Sequence, residues 1–347
     1  MHARTSQAEQ LCVALTQATK VTSLALRSNY LGVDGATALA CCLPHTALTA
    51  LDVSDNVLLG RYLSDKEHAY AAGVDSVPPD CSGLTALLLA GAQLRHLCLA
   101  FNHLGDEGAA ALAGVFAQSH DVYCAMHLEV GFNHFQHPRS STLLCGSLRR
   151  AVGSGLALRS LCLRNNTLRA EGAAAVGEAL ALRDGMALAV AELSLMNNHL
   201  GPEGAASMAA ARHNPWLVKL DLVGNLLGSA GVAALVDALY PEGSTAASAP
   251  RLEELLLHRN NAGDAGARAV ARVLMSPGSC NLRRLVLSNC HIHSDGAGAL
   301  AAALAANTWL EHLNLQRNHL TADDEHKLQV AACTSPGRAL LLGHGPI

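Results

Sequence analysis

The chain has 347 residues, of which 50% are apolar but only 3% are aromatic, and its formal net charge is −4. So small a net charge argues against nucleic acid or an anionic membrane as the main partner. No apolar run reaches the roughly 18 residues that a membrane helix requires, and the opening MHARTSQAEQ lacks the apolar core of a secretory signal. These features predict a soluble cytoplasmic protein.

The cysteine pattern supports a reducing compartment. The chain has 11 cysteines, an odd number, and none of them forms a paired CxxC spacing. Neither a disulfide framework nor a zinc ribbon is therefore indicated. We expect reduced thiols that pack as small apolar side chains.

One unit repeats along the chain, and its clearest copy is Leu161 to Leu180, LCLRNNTLRAEGAAAVGEAL. Leu161 and Leu163 alternate with other residues, which is the period-two pattern of a short strand with one buried face. Asn166 marks a turn, and the Ala-rich second half has helical spacing. A strand–turn–helix unit cannot bury its own apolar face, so the copies must stack into a solenoid.

In chain order, the repeats begin after residues 1–20, which are predicted to form an N-terminal capping helix. The leucine-rich solenoid is predicted to occupy residues 21–328, with an insertion at 61–93. Within this insertion, regular structure is predicted to resume with a helix over Leu84 to Gly91. The strand leucines recur about every 32 residues, a period that accommodates a full helix in each repeat. Residues 329–347 are predicted to form a C-terminal cap and tail, in which Leu340 to Leu342 adds a closing strand.

An asparagine follows nine of the ten predicted strands at one register, and Cys290 takes its place once. A buried amide offers two donors and an acceptor to backbone groups that a turn leaves unpaired. We therefore expect a structural ladder rather than a set of catalytic amides. Its members are Asn29, Asn56, Asn102, Asn133, Asn166, Asn198, Asn225, Asn260 and Asn318.

Five predicted helices start with two glycines three residues apart, as in Gly105 and Gly108. Acidic residues such as Asp106 and Asp264 stand beside these glycines and suit the positive end of the helix dipole. Nucleotide binding is not indicated, because the chain has no GxxxxGK[ST] phosphate loop.

The repeat written out by Leu94 to Leu112, LRHLCLAFNHLGDEGAAAL, resembles the ribonuclease-inhibitor type of leucine-rich repeat over about ten copies. This resemblance implies an α/β horseshoe with parallel strands on the concave face and helices on the convex face. Physical spacing gives the same curvature, because strands stack about 4.8 Å apart whereas helices need about 8 to 10 Å.

The concave face is the predicted binding surface for another protein. Two of the four phenylalanines, Phe101 and Phe132, fall at equivalent positions just before the ladder asparagine, and exposed aromatics commonly anchor interfaces. The alternative is that the insertion at 61–93 covers them. The complete set of predicted partner-binding residues is Phe101, Phe132, His96, His127, Arg164, Glu192, Lys219, Asp221, Arg259 and Arg284.

Metal binding is a weaker interpretation of the same face. His96 and His127 stand in register, with His103 and His134 in the turns that follow. No carboxylate or thiolate spacing joins these imidazoles. We predict no metal, no cofactor, no small-molecule substrate and no catalytic residues.

The leading functional hypothesis is a non-enzymatic scaffold, and this repeat type also resembles subunits of cytoskeletal and ciliary assemblies. The alternative is a GTPase activator similar to the Ran GTPase-activating proteins. Ser54 to Glu67 resembles that family's GR segment and places Arg61 at the matching position, but Phe132 stands where the family has a catalytic Asn. Ribonuclease inhibition is a third interpretation, although the strongly acidic concave face of that family is missing.

Overall fold

The computed structural model describes residues 2–60, 79–118, 124–135, 138–151, 157–183, 185–242, 249–276, 280–335 and 337–343. It divides into two compact units, Met1–Asn166 and Thr167–Ile347. Both units consist of short parallel strands that alternate with helices. The predicted α/β solenoid of strand–turn–helix repeats is confirmed.

The first unit has five strands and five α-helices in the described ranges. The strands are β1 (Ser23–Ala25), β2 (Ala50–Asp52), β3 (His96–Cys98), β4 (Cys124–Glu129) and β5 (Ala157–Cys162). The helices are α1 (His2–Gln17), α2 (Gly32–Cys42), α3 (Ser82–Ala90), α4 (Gly105–Gln118) and α5 (Pro138–Ala151).

The second unit has six strands and six α-helices in the described ranges. The strands are β6 (Val190–Ser194), β7 (Lys219–Asp221), β8 (Glu254–Leu256), β9 (Arg284–Val286), β10 (His312–Asn314) and β11 (Ala339–Leu341). The helices are α6 (Arg169–Leu180), α7 (Gly201–Ser207), α8 (Gly228–Leu239), α9 (Gly263–Met275), α10 (Ser294–Ala306) and α11 (Ala322–Ala332).

Within each unit every strand pairs in parallel with the strand of the next repeat. The middle leucines stand opposite one another, as Leu97 does with Leu128 and Leu255 with Leu285. The middle leucines are at most 2% exposed except in the end strands β1 and β11, where they are half-buried, and each helix packs on its neighbour in the same unit. The core is therefore a layer of leucines between strands and helices, and the flanking strand residues point to the opposite side. We call that opposite side the strand face.

Buried asparagines link successive repeats, as the sequence predicts. Nδ2 of Asn102 donates to the carbonyl oxygens of Val53 at 2.9 Å and Leu99 at 3.0 Å, while Oδ1 of Asn133 accepts from the backbone N–H of Asn102 at 2.9 Å. In the second unit, Oδ1 of Asn260 accepts from the backbone N–H of Asn225 at 2.9 Å. Seven of the nine ladder asparagines are completely buried: Asn56, Asn102, Asn133, Asn166, Asn198, Asn225 and Asn260.

Cys290 occupies its ladder position without reproducing the whole pattern. Its thiol donates to the carbonyl oxygen of Leu257 at 3.1 Å, and its backbone N–H donates to Oδ1 of Asn318 at 3.0 Å. Burial raises the pKa of the Cys290 thiol. The sulfur therefore stays protonated and replaces a strong amide acceptor by a weak one.

A second set of buried amides was not foreseen from the sequence. Nδ2 of Asn214 donates to the carbonyl oxygens of Leu180 and Leu188, both at 3.0 Å, and Nδ2 of Asn307 donates to that of Leu274 at 3.0 Å. Both amides therefore satisfy carbonyls of the preceding repeat, near the C-terminal end of its helix or in the loop that follows that helix.

The turn after each strand requires left-handed backbone. Phe101 and Phe132, which precede ladder asparagines, have φ of 58° and 57°, and Gly105 at the start of α4 has φ of 57°. The second glycine of the pair has a different role, because a Cβ on Gly108 would lie 2.4 Å from Cβ of Leu104. The first glycine allows the turn and the second allows close packing.

The acidic residues at the helix starts also act between repeats. Oδ1 of Asp264 in α9 accepts from the backbone N–H groups of His293 at 2.8 Å and Gly296 at 3.0 Å, at the start of α10. Thr321 and Asp324 form a local capping box at α11. Asp264 thus caps the next helix, a partner that a local capping rule does not identify.

Part of the predicted insertion, residues 61–78, lies outside the described residues, as does Arg61. Its end forms α3, in agreement with the helix predicted over Leu84 to Gly91. Strand β11 occupies the predicted closing position. The boundaries 1–20, 21–328 and 329–347 stay predictions. Within the described residues, no helix is both long enough and apolar enough to cross a membrane.

We expect Asn133→Ala to destabilise the chain by about 2 to 4 kcal/mol, because it leaves the buried backbone N–H of Asn102 and the carbonyl of Leu99 in the preceding repeat without these partners. The control is Asn29→Ala at the exposed first rung, where water can replace the amide. Urea unfolding followed by circular dichroism measures both. Equal losses in the two variants would contradict a buried ladder.

Stability should also depend on pH through Asp324. Burial opposes ionisation of this carboxyl, but hydrogen bonds from Ser294 at 2.7 Å and Thr321 at 2.9 Å outweigh burial and lower its pKa. A lowered folded-state pKa contributes stability above the unfolded pKa of about 3.9, and this stability is lost as pH falls through the folded pKa. Asp324→Asn should therefore cost about 1 kcal/mol at pH 7 and progressively less in acid, as measured by urea unfolding. Exposed Asp323→Asn is the control. A loss for Asp324→Asn that did not change with pH would contradict this role.

Candidate functional site

Two histidines lie side by side on the strand face of the first unit. His96 and His127 flank the buried leucines of β3 and β4 and stand opposite each other in register. Their rings are stacked, with centroids 4.4 Å apart and planes inclined by 6°. Nδ1 of His127 is 2.9 Å from Oγ of Ser160, which fixes the ring orientation.

Phe101 and Phe132 form a second stack, where the turns begin. Their ring centroids are 3.9 Å apart and their planes differ by 14°. Both side chains are half-buried. Left-handed backbone is unfavourable for a bulky residue by roughly 1 kcal/mol or more. The turn imposes this conformation in every repeat, on polar residues as well, so the fold does not require two bulky rings here and the stack is a candidate for function.

An arginine lies against each outer ring. The guanidinium carbon of Arg27 is 5.7 Å from the centroid of Phe101, and that of Arg164 is 5.6 Å from the centroid of Phe132. Each cation–π contact at such an exposed site stabilises by about 0.5 to 1 kcal/mol. The result is a four-layer arrangement, Arg27, Phe101, Phe132 and Arg164, which we call the Phe–Arg stack.

The position of Arg164 is fixed from two sides. Its guanidinium forms an ion pair with Glu129 at the end of β4. Its stem passes over Gly131, where an added Cβ would lie 2.7 Å from Cγ of Arg164 and 3.0 Å from the Arg164 carbonyl oxygen. Gly131 therefore makes room for the arginine. Because the four layers use the ring faces, the stack presents mainly ring edges and guanidinium N–H groups to a partner.

A shallow pocket of about 340 Å³ on the strand face of the first unit includes the histidine stack in its wall. Asp52, Glu129, Ser160 and Cys98 also line it. Burial raises the pKa of the Cys98 thiol to about 12. The thiol is therefore protonated at neutral pH and unsuited to act as a nucleophile.

The remaining predicted residues lie on the strand face of the second unit. The carboxylate of Glu254 forms ion pairs with Lys219 at 3.7 Å and with Arg284 at 4.0 Å. Glu192 stands opposite Lys219 in register, and Asp221 accepts a hydrogen bond from Ser194 at 2.8 Å. Arg259 occupies the left-handed position that Phe101 and Phe132 have in the first unit.

The predicted set thus separates between the two units. His96, His127, Phe101, Phe132 and Arg164 come together in the first, whereas the second holds Glu192, Lys219, Asp221, Arg259 and Arg284. The sequence analysis missed the stacking of Arg27 on Phe101. Counting from the ladder asparagine places Arg27 one residue before the Phe position, but the reach of its side chain cannot be read from spacing.

This geometry gives little support to metal binding or to GTPase activation. His103 and His134 are stacked with centroids 5.2 Å apart, yet within the described residues no group of three or more His, Cys, Asp or Glu side chains could hold a metal ion. Phe132, which stands where the Ran GTPase-activating proteins have Asn, packs between Phe101 and Arg164. Arg61, the other residue of that comparison, lies outside the described residues.

Similarity to known proteins agrees with the repeat geometry. The Leucine Rich repeat family model matches residues 17–40, 93–113, 191–209, 213–236, 278–301 and 306–324. These six stretches are therefore leucine-rich repeats of that family. Ribonuclease inhibitor from Sus scrofa is 28% identical over 307 residues, which cover 85% of this chain and 57% of the inhibitor. The predicted ribonuclease-inhibitor type of repeat is therefore confirmed.

Other similar proteins either extend far beyond the matched region or share only the fold with this chain. Human NACHT, LRR and PYD domains-containing protein 5 is 28% identical over 264 residues, which cover 76% of this chain but only 18% of that protein. This leucine-rich repeat chain spans little more than half the length of the pig inhibitor. A solved structure of the Rad7 and Elc1 complex in yeast matches 93% of this chain and 74% of that chain, with a TM-score of 0.53 and 16% identity. Such a likeness shows the fold alone.

We expect Gly131→Ala to destabilise the first unit by about 1 to 3 kcal/mol, because the added methyl group overlaps Arg164. Gly114→Ala in α4 is the matched control, since a Cβ there meets nothing within 4 Å and should stabilise by about 0.5 to 1 kcal/mol. Urea unfolding compares the two. A neutral Gly131→Ala would mean that Arg164 is not held over Phe132.

Proposed function

We propose that this chain is a non-enzymatic scaffold that binds a partner protein on its strand face, with the Phe–Arg stack as the anchor. The observation that carries the proposal is the pair of half-buried aromatic rings in left-handed backbone. Aromatic and arginine side chains are the residue types most enriched at the energetic centres of protein interfaces. Four of them in one stack, pre-organised by mutual contact, would lose little conformational entropy on binding.

Two further observations support a binding role. The histidine stack and the shallow pocket continue the same face beside the aromatic anchor, and the Cys98 thiol that lines the pocket is not nucleophilic at neutral pH. Leucine-rich repeat proteins are commonly protein-interaction domains, and the yeast structure that shares the fold is a complex of Rad7 with Elc1. We extend the proposal to a cytoplasmic setting in a cytoskeletal or ciliary assembly on the resemblance of repeat type alone.

We do not extend ribonuclease inhibition or Ran GTPase activation to this chain. Charges of both signs alternate along the strand face of the second unit, where Lys219, Glu254 and Arg284 follow one another. A strongly basic enzyme would gain little from such a surface. The position at which a GTPase activator needs a polar side chain holds Phe132.

The test is a native pull-down with mass spectrometry, with wild type beside the Phe101→Asn, Phe132→Asn double variant. Asn is chosen because the chain itself places Asn165 and Asn197 at this left-handed position, so the variant should fold. We expect at least about tenfold less of one stoichiometric partner, as for loss of an interface hot spot.

The control for this experiment is the Leu89→Glu, Leu143→Glu variant, which alters two exposed leucines on helices α3 and α5. It should retain the partner. Thermal unfolding by circular dichroism must show that both variants fold. If the Phe variant keeps every partner of the wild type, the Phe–Arg stack is not the anchor and the proposal fails.

A further inference from the structure

The second unit carries a separate, positively charged part of the strand face, along β8, β9 and β10. The side chains that precede the ladder position in these three repeats are Arg259, Asn289 and Arg317, all in left-handed backbone. Adjacent strands lie about 4.8 Å apart, which separates the two arginine backbones by about 10 Å. Both arginines belong to the same edge of the strand face.

The nearby carboxylate is already engaged. Glu254 pairs with Lys219 and Arg284 in the row of residues where the strands begin. No ion pair joins Arg259 to a carboxylate within the described part of the chain, and its side chain is exposed. The positive charge of Arg259 is therefore available to a ligand.

The two arginines also affect the pKa of the neighbouring His258. Its Nδ1 lies 2.9 Å from the carbonyl oxygen of Ser288, and since a carbonyl oxygen only accepts, Nδ1 carries the proton. Burial lowers the pKa of His258 against the opposing effect of this hydrogen bond, and the charges of Arg259 and Arg317 lower the pKa further. The ring is thus a neutral group next to two cations.

An apolar strip lies beside the arginines. Leu256 of β8 and Val286 of β9 stand opposite each other in register on the strand face, and both are half-buried. Within a single patch, the surface thus offers two cations about 10 Å apart and a half-buried apolar strip.

We propose that this patch, formed by Arg259, Arg317, His258, Leu256 and Val286, binds an extended acidic segment of a partner protein, with an apolar residue between its carboxylates. An extended segment in the polyproline II conformation rises about 3.1 Å per residue with three residues per turn, so carboxylates three residues apart would lie on one side, about 9 Å apart, and match the two arginines. Arginine is well suited to this recognition, because its planar fork of donors fits a carboxylate. This inference rests on the proposed protein-binding function and assigns it a second surface and a partner chemistry.

The test uses the purified full chain and a fluorescein-labelled peptide with four Glu on each side of one Leu, followed by fluorescence anisotropy. The same peptide with Gln in place of every Glu is the comparison. We expect the acidic peptide to bind at least about tenfold more tightly than the Gln peptide, because charge-assisted hydrogen bonds are stronger than neutral ones. Its binding should weaken as salt is raised.

The Arg259→Asn, Arg317→Asn variant should lose at least about tenfold in affinity for the acidic peptide. Asn already occupies this position at Asn289, so folding is expected to be retained. The matched control is Arg268→Ala, Arg272→Ala on α9, which removes the same charge from the helix side and should bind as wild type does. Both variants are checked by circular dichroism.

Several outcomes would overturn the inference. These are no binding of the acidic peptide, equal binding of the Gln peptide, unchanged affinity in the Arg259→Asn, Arg317→Asn variant, and equal binding of a single-stranded oligouridylate of matched charge. The Phe101→Asn, Phe132→Asn variant should bind the acidic peptide normally. Failure of the acidic site is thereby distinguished from failure of the Phe–Arg stack.

Discussion

Buried ladder asparagines such as Asn102, Asn166, Asn225 and Asn260 satisfy the backbones of two repeats at once, and the rest of the structure depends on this link. The amide of Asn102 donates to the carbonyl of Val53 in the preceding repeat and to that of Leu99 in its own. A turn buried beside a leucine core would otherwise hold several unpaired polar groups, each costing about 1 to 3 kcal/mol. The ladder therefore permits strands of three residues to form a stable sheet.

Because the ladder fixes the turn backbone, the residue before the asparagine can vary. Its φ stays close to 55° whether the residue is Phe132, Asn197 or Arg259. Local strain is held in place by hydrogen bonds that do not involve this side chain. The position thus supplies aromatic rings in one unit and guanidinium groups in the other on the same backbone, which separates the chemistry of the surface from the stability of the fold.

Sequence pattern predicted the repeating part of the structure well, since strands, helices and ladder asparagines recur at a nearly fixed period. The adjacency of Phe101 and Phe132 follows from the same period. Contacts that occur in only one or two repeats could not be found in this way. Asn214 and Asn307 satisfy helix-end carbonyls far along the chain, and Asp264 caps the helix of the next repeat. Arg27 reaches Phe101 only through the length of its side chain. Period and local propensity contain no information on such pairings.

The Cys290 position has a mechanical meaning. In a stack of repeats, each rung bears only on its immediate neighbours, so a pulling force would detach repeats one after another. Resistance at each step depends on the hydrogen bonds that cross it. At the Cys290 rung a weakly accepting sulfur replaces an amide oxygen, so the ladder itself contributes less resistance between the repeats of β8 and β9. The two hydrogen bonds that Asp264 accepts across the same junction therefore carry a larger share of a load applied along the chain.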